Sequence, residues 1–241
     1  MVHTLRVHLL SCLTMKILRP YIDIFFPAVC ACCGSALRSS NHHLCLWCKK
    51  KRFERAESEG FQILPDSVQF QFAMWSFDKG GYLQDLLHDL KYNCLRSVGE
   101  ELGRTLAGSF LRVSKSEMGN LFEQSPPVIV PVPLHKSKLR KRGYNQAEAL
   151  ARGFSEISGW TVAATNAVVR VKKTTTQTGL TAEKRAENLK NAFRLNKPKA
   201  VAGKIPIIID DVFTTGATTF ELAKVLKECT EPAVIATVAK A

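Results

Sequence analysis

Residues 207–219 read IIIDDVFTTGATT. Three consecutive isoleucines signal a buried strand, because β-branched side chains suit a pleated surface packed on both faces. The run ends on two adjacent carboxylates and passes into threonine, glycine and alanine. The pattern predicts a strand over 205–209, Asp210 and Asp211 at its carboxyl end, and a helix from about 217 to 228. In a parallel α/β sheet, ligands bind outside the carboxyl ends of the strands. Gly216 permits backbone conformations closed to other residues. The amides of Thr214, Thr215, Gly216, Ala217 and Thr218, with the first turn of the helix, make a nest for a phosphate. The hydroxyls of Thr214, Thr215 and Thr218 add donors. A phosphate held there leaves the carboxylates facing the rest of the ligand. They can accept hydrogen bonds from vicinal hydroxyls and help hold Mg²⁺. A ribose 5-phosphate satisfies both halves, whereas a plain helix cap needs one acid and no Thr-Thr-Gly.

Working outward, the chain has the rhythm of an α/β domain. QFQFAMWSF at 69–77 suits a strand, and Leu83, Leu86, Leu87 and Leu90 mark one face of a helix over 82–92. A second helix is expected over 98–112, with Leu102, Leu106 and Phe110 inward. Pro126-Pro127 introduces the short strand VIVPVP, followed by a basic loop and a helix at about 144–157. Strands at 167–171 and 233–238 and a helix at 182–192 complete the alternation. Such alternation argues for a mostly parallel sheet flanked by helices.

The 135–142 segment, HKSKLRKR, holds five lysines or arginines and no acid. It follows a strand end, so its cations suit a second anionic group. Arg140 and Arg142 can bind phosphate oxygens bidentately, and Gly143 permits close backbone approach. The alternative is a solvated basic loop. The charge is uneven along the chain. Residues 1–60 carry nine basic against four acidic side chains, 61–120 six against seven, and 121–241 nineteen against ten. The basic excess where the strongest motifs lie fits a phosphorylated metabolite or nucleic acid.

Six of eight cysteines fall in the first 48 residues, four as Cys30-x2-Cys33-x11-Cys45-x2-Cys48. Two CxxC knuckles complete a tetrahedron around zinc, and with four cysteines no place is left open for water, so the site is structural. A segment of about 30 residues buries too little apolar area to fold alone, and metal binding supplies the difference. The disulfide alternative needs an oxidising compartment that nothing in the sequence supports. Cys32 sits inside the first knuckle, and His42 and His43 precede the second, so each is an alternative ligand. Cys12, Cys94 and Cys229 read as small buried hydrophobes. No apolar run approaches the roughly 20 residues of a membrane span, and VHLLSCL at 7–13 is too short for a secretory core, so a cytoplasmic protein is expected. Met15 reads as a natural start, which divides the chain into 1–14, a loose or misassigned beginning; 15–60, a zinc-binding segment and linker; and 61–241, the α/β domain.

The stretch 207–219 resembles the phosphoribosyl pyrophosphate (PRPP) motif of type I phosphoribosyltransferases. Five motifs in order resemble the ComF family: FFPAVCACCG, LCLWC, VPVPLHKSKLRKRGYNQAEALA, KKTTTQTGLTAEKRAENLKNAF and IIIDDVFTTGATT. The resemblance runs from about Met15 to the end. It implies a structural zinc segment joined to a type I phosphoribosyltransferase-like domain. It implies that Asp210 and Asp211 meet ribose or Mg²⁺, and that residues 214–218 hold the 5′-phosphate. The pyrophosphate would fall to Lys136, Lys138, Arg140, Arg142 and Gly143, and the cover over it to residues 177–188, with Gln177, Arg185 and Asn188. Bacterial members are linked to natural transformation and uptake of single-stranded DNA, so single-stranded DNA and DNA-uptake proteins are implied partners. Three functions follow: a transferase with Mg²⁺-PRPP and an unknown acceptor, a single-stranded DNA-handling module, or a regulator that senses PRPP without turnover. The resemblance leaves turnover open.

Overall fold

The computed structural model describes residues 28–37, 39, 42–56, 63–93, 95–173 and 187–241. They fall into two compact units, one up to Arg52 and one from Phe53 onward.

The larger unit is built on four parallel strands in the order β1-β6-β5-β2. These are β1 (Val68–Ser76), β2 (Pro127–Pro131), β5 (Ile205–Phe213) and β6 (Ala233–Lys240). Strands β3 (Val168–Arg170) and β4 (Phe193–Leu195) form a separate antiparallel pair. The expected parallel sheet is therefore present. The sequence of β5 explains its central place, since Ile205, Ile207, Ile208 and Ile209 are all fully buried, as a strand covered on both faces requires.

Helix α1 (Tyr82–Tyr92) starts where Asp78 accepts from the amides of Leu83 and Gln84 at 3.0 and 2.9 Å. It buries the four leucines that define its stripe. Helix α2 runs over Arg96–Glu117, longer than its apolar core of 98–112, because its last turns stay amphipathic to Ser114. A short turn, α3 (Leu121–Gln124), precedes β2. Helix α5 (Gln146–Ser158) packs along α2, and the two together cover one face of the sheet. Gly153 makes that contact close, since a Cβ there would overlap the carbonyl of Glu100. An aromatic group of Phe72, Phe110, Phe122, Phe154 and Trp160 fills the same layer, with centroids 4.8–6.4 Å apart. Helix α6 (Ala217–Leu226) covers the other face, with Leu222 and Leu226 buried against Ile208 and Ile235.

Two expectations are corrected. Segment 135–143 is not a loop but helix α4 (Lys136–Arg142), capped by His135 at its start and by Gly143, φ 75°, at its end. Lys, Arg and Leu are good helix formers and no proline interrupts the run, so the segment is helical between its two caps. Strand β5 also continues to Phe213, so Asp210 and Asp211 lie within it. Pairing with β6 carries on through Asp210–Thr237 to Phe213–Lys240 and holds the acids in extended backbone. Among the cysteines outside the clusters, Cys229 is half-buried against the core, and Cys12 and Cys94 lie outside the described residues.

Candidate functional site

In the smaller unit, Val29 and Ala36 pair across a tight turn closed by Gly34, φ 72°. The turn brings Cys30 and Cys33 together. Cys45 and Cys48 sit at the start of the helical turn that runs to Arg52. Backbone amides reach the sulfurs: Cys45 donates to Cys30 Sγ and Cys48 to Cys45 Sγ, each at 3.3 Å. The Cys30–Cys48 and Cys33–Cys45 sulfurs are 4.0 and 3.7 Å apart, and all four lie within 4.8 Å of one another. Bonds of about 2.3 Å to a tetrahedral ion demand sulfur–sulfur edges of about 3.8 Å, so the four thiols are placed to hold a metal. The Ser35 hydroxyl and backbone bring the Cys33 thiol down to about 6, which favours the ligating thiolate. Burial pushes the Cys48 thiol up, a cost that a bound cation offsets. The cluster among the described residues consists of these four and includes neither Cys32 nor His42 or His43.

In the larger unit, the acids of β5 occupy the carboxyl half of the central strand. Side chains alternate along a strand, so neighbours point to opposite faces. Asp211 is turned toward α1, where its Oδ2 lies 2.6 Å from Lys91 Nζ, and both side chains are largely buried (7% and 26% exposed). Asp210 is half-buried and its Oδ1 accepts from the Asp211 amide at 2.9 Å. The two carboxyls differ accordingly. Burial raises Asp210, and the neighbouring Asp211 charge adds to it. Burial also pushes Asp211 up, but the Lys91 ammonium outweighs it and the net direction is down. Lys91 is raised, since Asp211 outweighs the opposing effect of burial.

More cations converge on this pair. Lys138 and Arg142 are spaced four apart, on one face of α4, and both are half-buried, while Lys136 and Arg140 are exposed. Burial lowers Lys138, and Arg170, Arg142 and Lys91 lower it further, which places Lys138 within the field of these three cations. Arg170, at the end of β3, is lowered by burial while Asp210 acts in the opposite sense. Arg142 donates to Gln146 Oε1 at 2.9 Å, and its guanidinium lies 5.2 Å from the Tyr92 ring centroid. Beyond β5, Thr214–Gly216 form a bend into α6. Gly216, φ 72°, is the residue before its first turn. A Cβ there would overlap the Phe220 ring and meet Phe213, so only glycine fits. The first amides of α6, from Ala217 on, have no intrahelical acceptor. Thr214 is exposed and Thr215 and Thr218 half-buried, whereas Thr219 is buried and donates to the Gly216 carbonyl at 3.1 Å.

The structure therefore gathers Asp210, Asp211, Lys138 and Arg142 from the sequence expectations, with the 214–218 segment following directly on the acids' strand. Gln177 and Arg185 lie outside the described residues; Asn188 is exposed in a short helical stretch at 187–189. Sequence reasoning missed Lys91 and Arg170. Lys91 lies four residues beyond Leu87, on the edge of the leucine stripe of α1. A lysine on a buried stripe is a readable signal of an internal partner.

No family model matches the chain. It is 37% identical over 146 residues to the DNA utilization protein YhgH of Escherichia coli (strain K12), covering 60% of each. It is 42% identical over 109 residues to competence protein F of Haemophilus influenzae, covering 43% of this chain and 45% of that one. It is 25% identical over 208 residues to competence protein ComFC of Bacillus subtilis (strain 168), covering 83% of this chain and 78% of that one. The chain thus spans about 60% of the length of the YhgH relatives it matches. Among solved structures, the allosteric regulatory enzyme of purine biosynthesis covers 59% of this chain and 25% of its own. The identity is 14% and the TM-score 0.36, a likeness too loose to assign a fold.

Proposed function

We propose that this chain, which belongs to the ComF family, binds PRPP with Mg²⁺ at the carboxyl end of β5, and that its four cysteines hold a structural zinc ion. The observation that carries the first reading is the convergence of two dissimilar carboxyls with four cations, from α1, α4 and β3, on a strand that runs into a glycine-capped helix. An anionic ligand with vicinal hydroxyls uses every part. Asp210, the less enclosed acid, accepts from the ribose hydroxyls. The 214–218 segment takes the 5′-phosphate. Lys138 and Arg142 take the diphosphate. Mg²⁺ bound by the ligand's oxygens and waters would neutralise diphosphate charge. In a transfer reaction, charge grows on the departing diphosphate as the ribosyl carbon becomes cationic, and pre-placed cations stabilise it. Pyrophosphate release on adding candidate acceptors separates a transferase from a PRPP sensor.

Calorimetric titration of pyrophosphate tests this assignment of cations. Lys138→Ala with Arg142→Ala should weaken binding by more than tenfold, and Arg140→Ala by less than twofold. Equal losses would show that the half-buried face of α4 is not the cradle.

A second reading is binding of single-stranded DNA, favoured by one feature of the smaller unit and by the words "DNA utilization" and "competence" in the relatives' names. Trp47 is 55% exposed, and the Arg52 guanidinium lies 4.7 Å from its ring centroid, with Lys49, Lys50 and Lys51 in the same turn. A stacking ring beside cations suits bases on a phosphate backbone. Steep loss of oligonucleotide affinity with salt, reduced in Trp47→Ala, would support it; salt-insensitive binding would not.

A further inference from the structure

Carboxylates that lie side by side away from water call for a cation, because a desolvated charge is costly unless it is paired. Asp210 and Asp211 are neighbours on β5, and each acts on the other's charge. Such a pair is the usual protein contribution to a Mg²⁺ site. The ion takes one or two carboxylate oxygens at about 2.0–2.1 Å and keeps several waters. Here the chain supplies a cation of its own. Lys91 Nζ lies 2.6 Å from Asp211 Oδ2, with the two side chains 26% and 7% exposed. The same ammonium acts on Asp210. Asp210 Oδ1 in turn accepts the Asp211 amide at 2.9 Å. Arg142 adds positive charge near Asp211, and Arg170 near Asp210. A divalent ion approaching the acids would meet the field of three cations, one of them in contact with the carboxylate it needs.

We propose that the Lys91 ammonium fills the place a divalent cation takes beside paired carboxylates, so that Asp210 and Asp211 do not themselves ligate Mg²⁺. The fold fixes the lysine there. It stands in the last turn of α1, where the negative end of the helix favours an ammonium. The preceding residue, Leu90, is fully buried, and its carbonyl accepts the hydroxyl of the buried Tyr144. A consequence follows for the ligand, and this part rests on the PRPP reading above. Carboxylate oxygens bound to a metal are poorer acceptors for hydroxyl groups, and Lys91 keeps them from that use. Mg²⁺ then enters on the ligand's diphosphate, whose oxygens suit it. A sugar phosphate without a diphosphate should bind with no need of the ion. Lys91 is thus a specificity-determining residue: it reserves the acids for hydroxyl donors and leaves the metal to the phosphate side.

Mn²⁺ alone is the probe, since it takes the same oxygen donors as Mg²⁺ and is paramagnetic. Free and bound ion are separated by electron paramagnetic resonance on the full chain, with zinc in the cysteine site. At about millimolar Mn²⁺, wild type and Lys91→Arg should leave the ion free. Lys91→Met should take up one ion, about tenfold or more tightly than wild type, and its melting temperature should rise as the ion is added. Adding Asp211→Asn to Lys91→Met should abolish both effects. Mn²⁺ uptake by the wild type that Asp211→Asn removes would overturn the inference, whatever the variants do. So would a folded Lys91→Met that takes no more ion than wild type; Lys91→Gln repeats the comparison if methionine costs the fold. Wild-type affinity for ribose 5-phosphate should agree within about twofold with and without Mg²⁺, and a strict need for the ion would count against the inference. Failure of ribose 5-phosphate and PRPP to bind in either condition would overturn the PRPP reading instead. The Mn²⁺ result, obtained without either ligand, would still decide the place of Lys91.

Discussion

Replacing Lys91 by methionine isolates the ion pair at the centre of the site. Methionine keeps most of the aliphatic stem and removes the ammonium. Asp211, with a side chain only 7% exposed, is then left with a charge lacking its 2.6 Å partner. Breaking a buried pair from one side costs about 3–5 kcal/mol. Lys91 is 26% exposed and Arg142 also acts on Asp211, so the low end, about 3 kcal/mol, applies. For a unit of this size that lowers the melting temperature by about 6–12 °C. The pH dependence follows from the directions of the shifts. In the wild type, Asp211 is held below its ordinary value, so its contribution is present above that ordinary value and is lost as pH falls through the lowered one. In Lys91→Met, burial dominates and Asp211 takes up a proton at higher pH, which removes the unpaired charge. The deficit of the mutant is therefore largest at neutral pH and shrinks toward acid. Urea denaturation followed by circular dichroism at several pH values measures it. Adding Asp211→Asn should restore part of the loss. A deficit below about 1 kcal/mol at pH 7, or one independent of pH, would refute the reasoning.

Three further outcomes are expected. The purified chain should carry one equivalent of zinc by elemental analysis, and Cys30→Ser or Cys48→Ser should lose it and expose the smaller unit to proteolysis; a metal-free wild type would contradict the cluster. Gly216→Ala should cost about 2 kcal/mol, read by thermal melting, because its φ of 72° and the overlap with Phe220 cannot both be relieved; a neutral substitution would show that the bend adapts. Asp210→Asn should stabilise the apo chain at neutral pH, since burial and Asp211 oppose its charge there; the gain should fade as pH falls and Asp210 becomes protonated, and a loss at neutral pH would contradict the raised carboxyl.

Much of this arrangement is legible in the chain because its signals are local. The leucine stripe of α1 depends on spacing within eleven residues, and the isoleucines of β5 on one run. The four cysteines are spaced as one ion would need, and their sulfurs lie within 4.8 Å of one another. What the sequence obscures is set between elements. Asp210 and Asp211 look equivalent in the chain. They are separated by strand alternation and by a lysine that α1 brings to only one of them. The basic run of α4 looks uniform, yet helical geometry turns Lys138 and Arg142 inward and leaves Lys136 and Arg140 in water. Arg170 closes a three-residue strand whose neighbours give no hint of a nearby acid. Extension of β5 past its acids depends on β6 supplying partners as far as Lys240, which no local pattern encodes.

The most direct measurement is calorimetric titration of PRPP with Mg²⁺ into wild type and into Asp210→Asn, the substitution that leaves the Lys91–Asp211 pair in place. Saturable binding by the wild type, weakened at least tenfold in Asp210→Asn with the fold unchanged, is the predicted result. No binding by the wild type, or equal binding by both, would contradict a ribose-phosphate site at the end of β5.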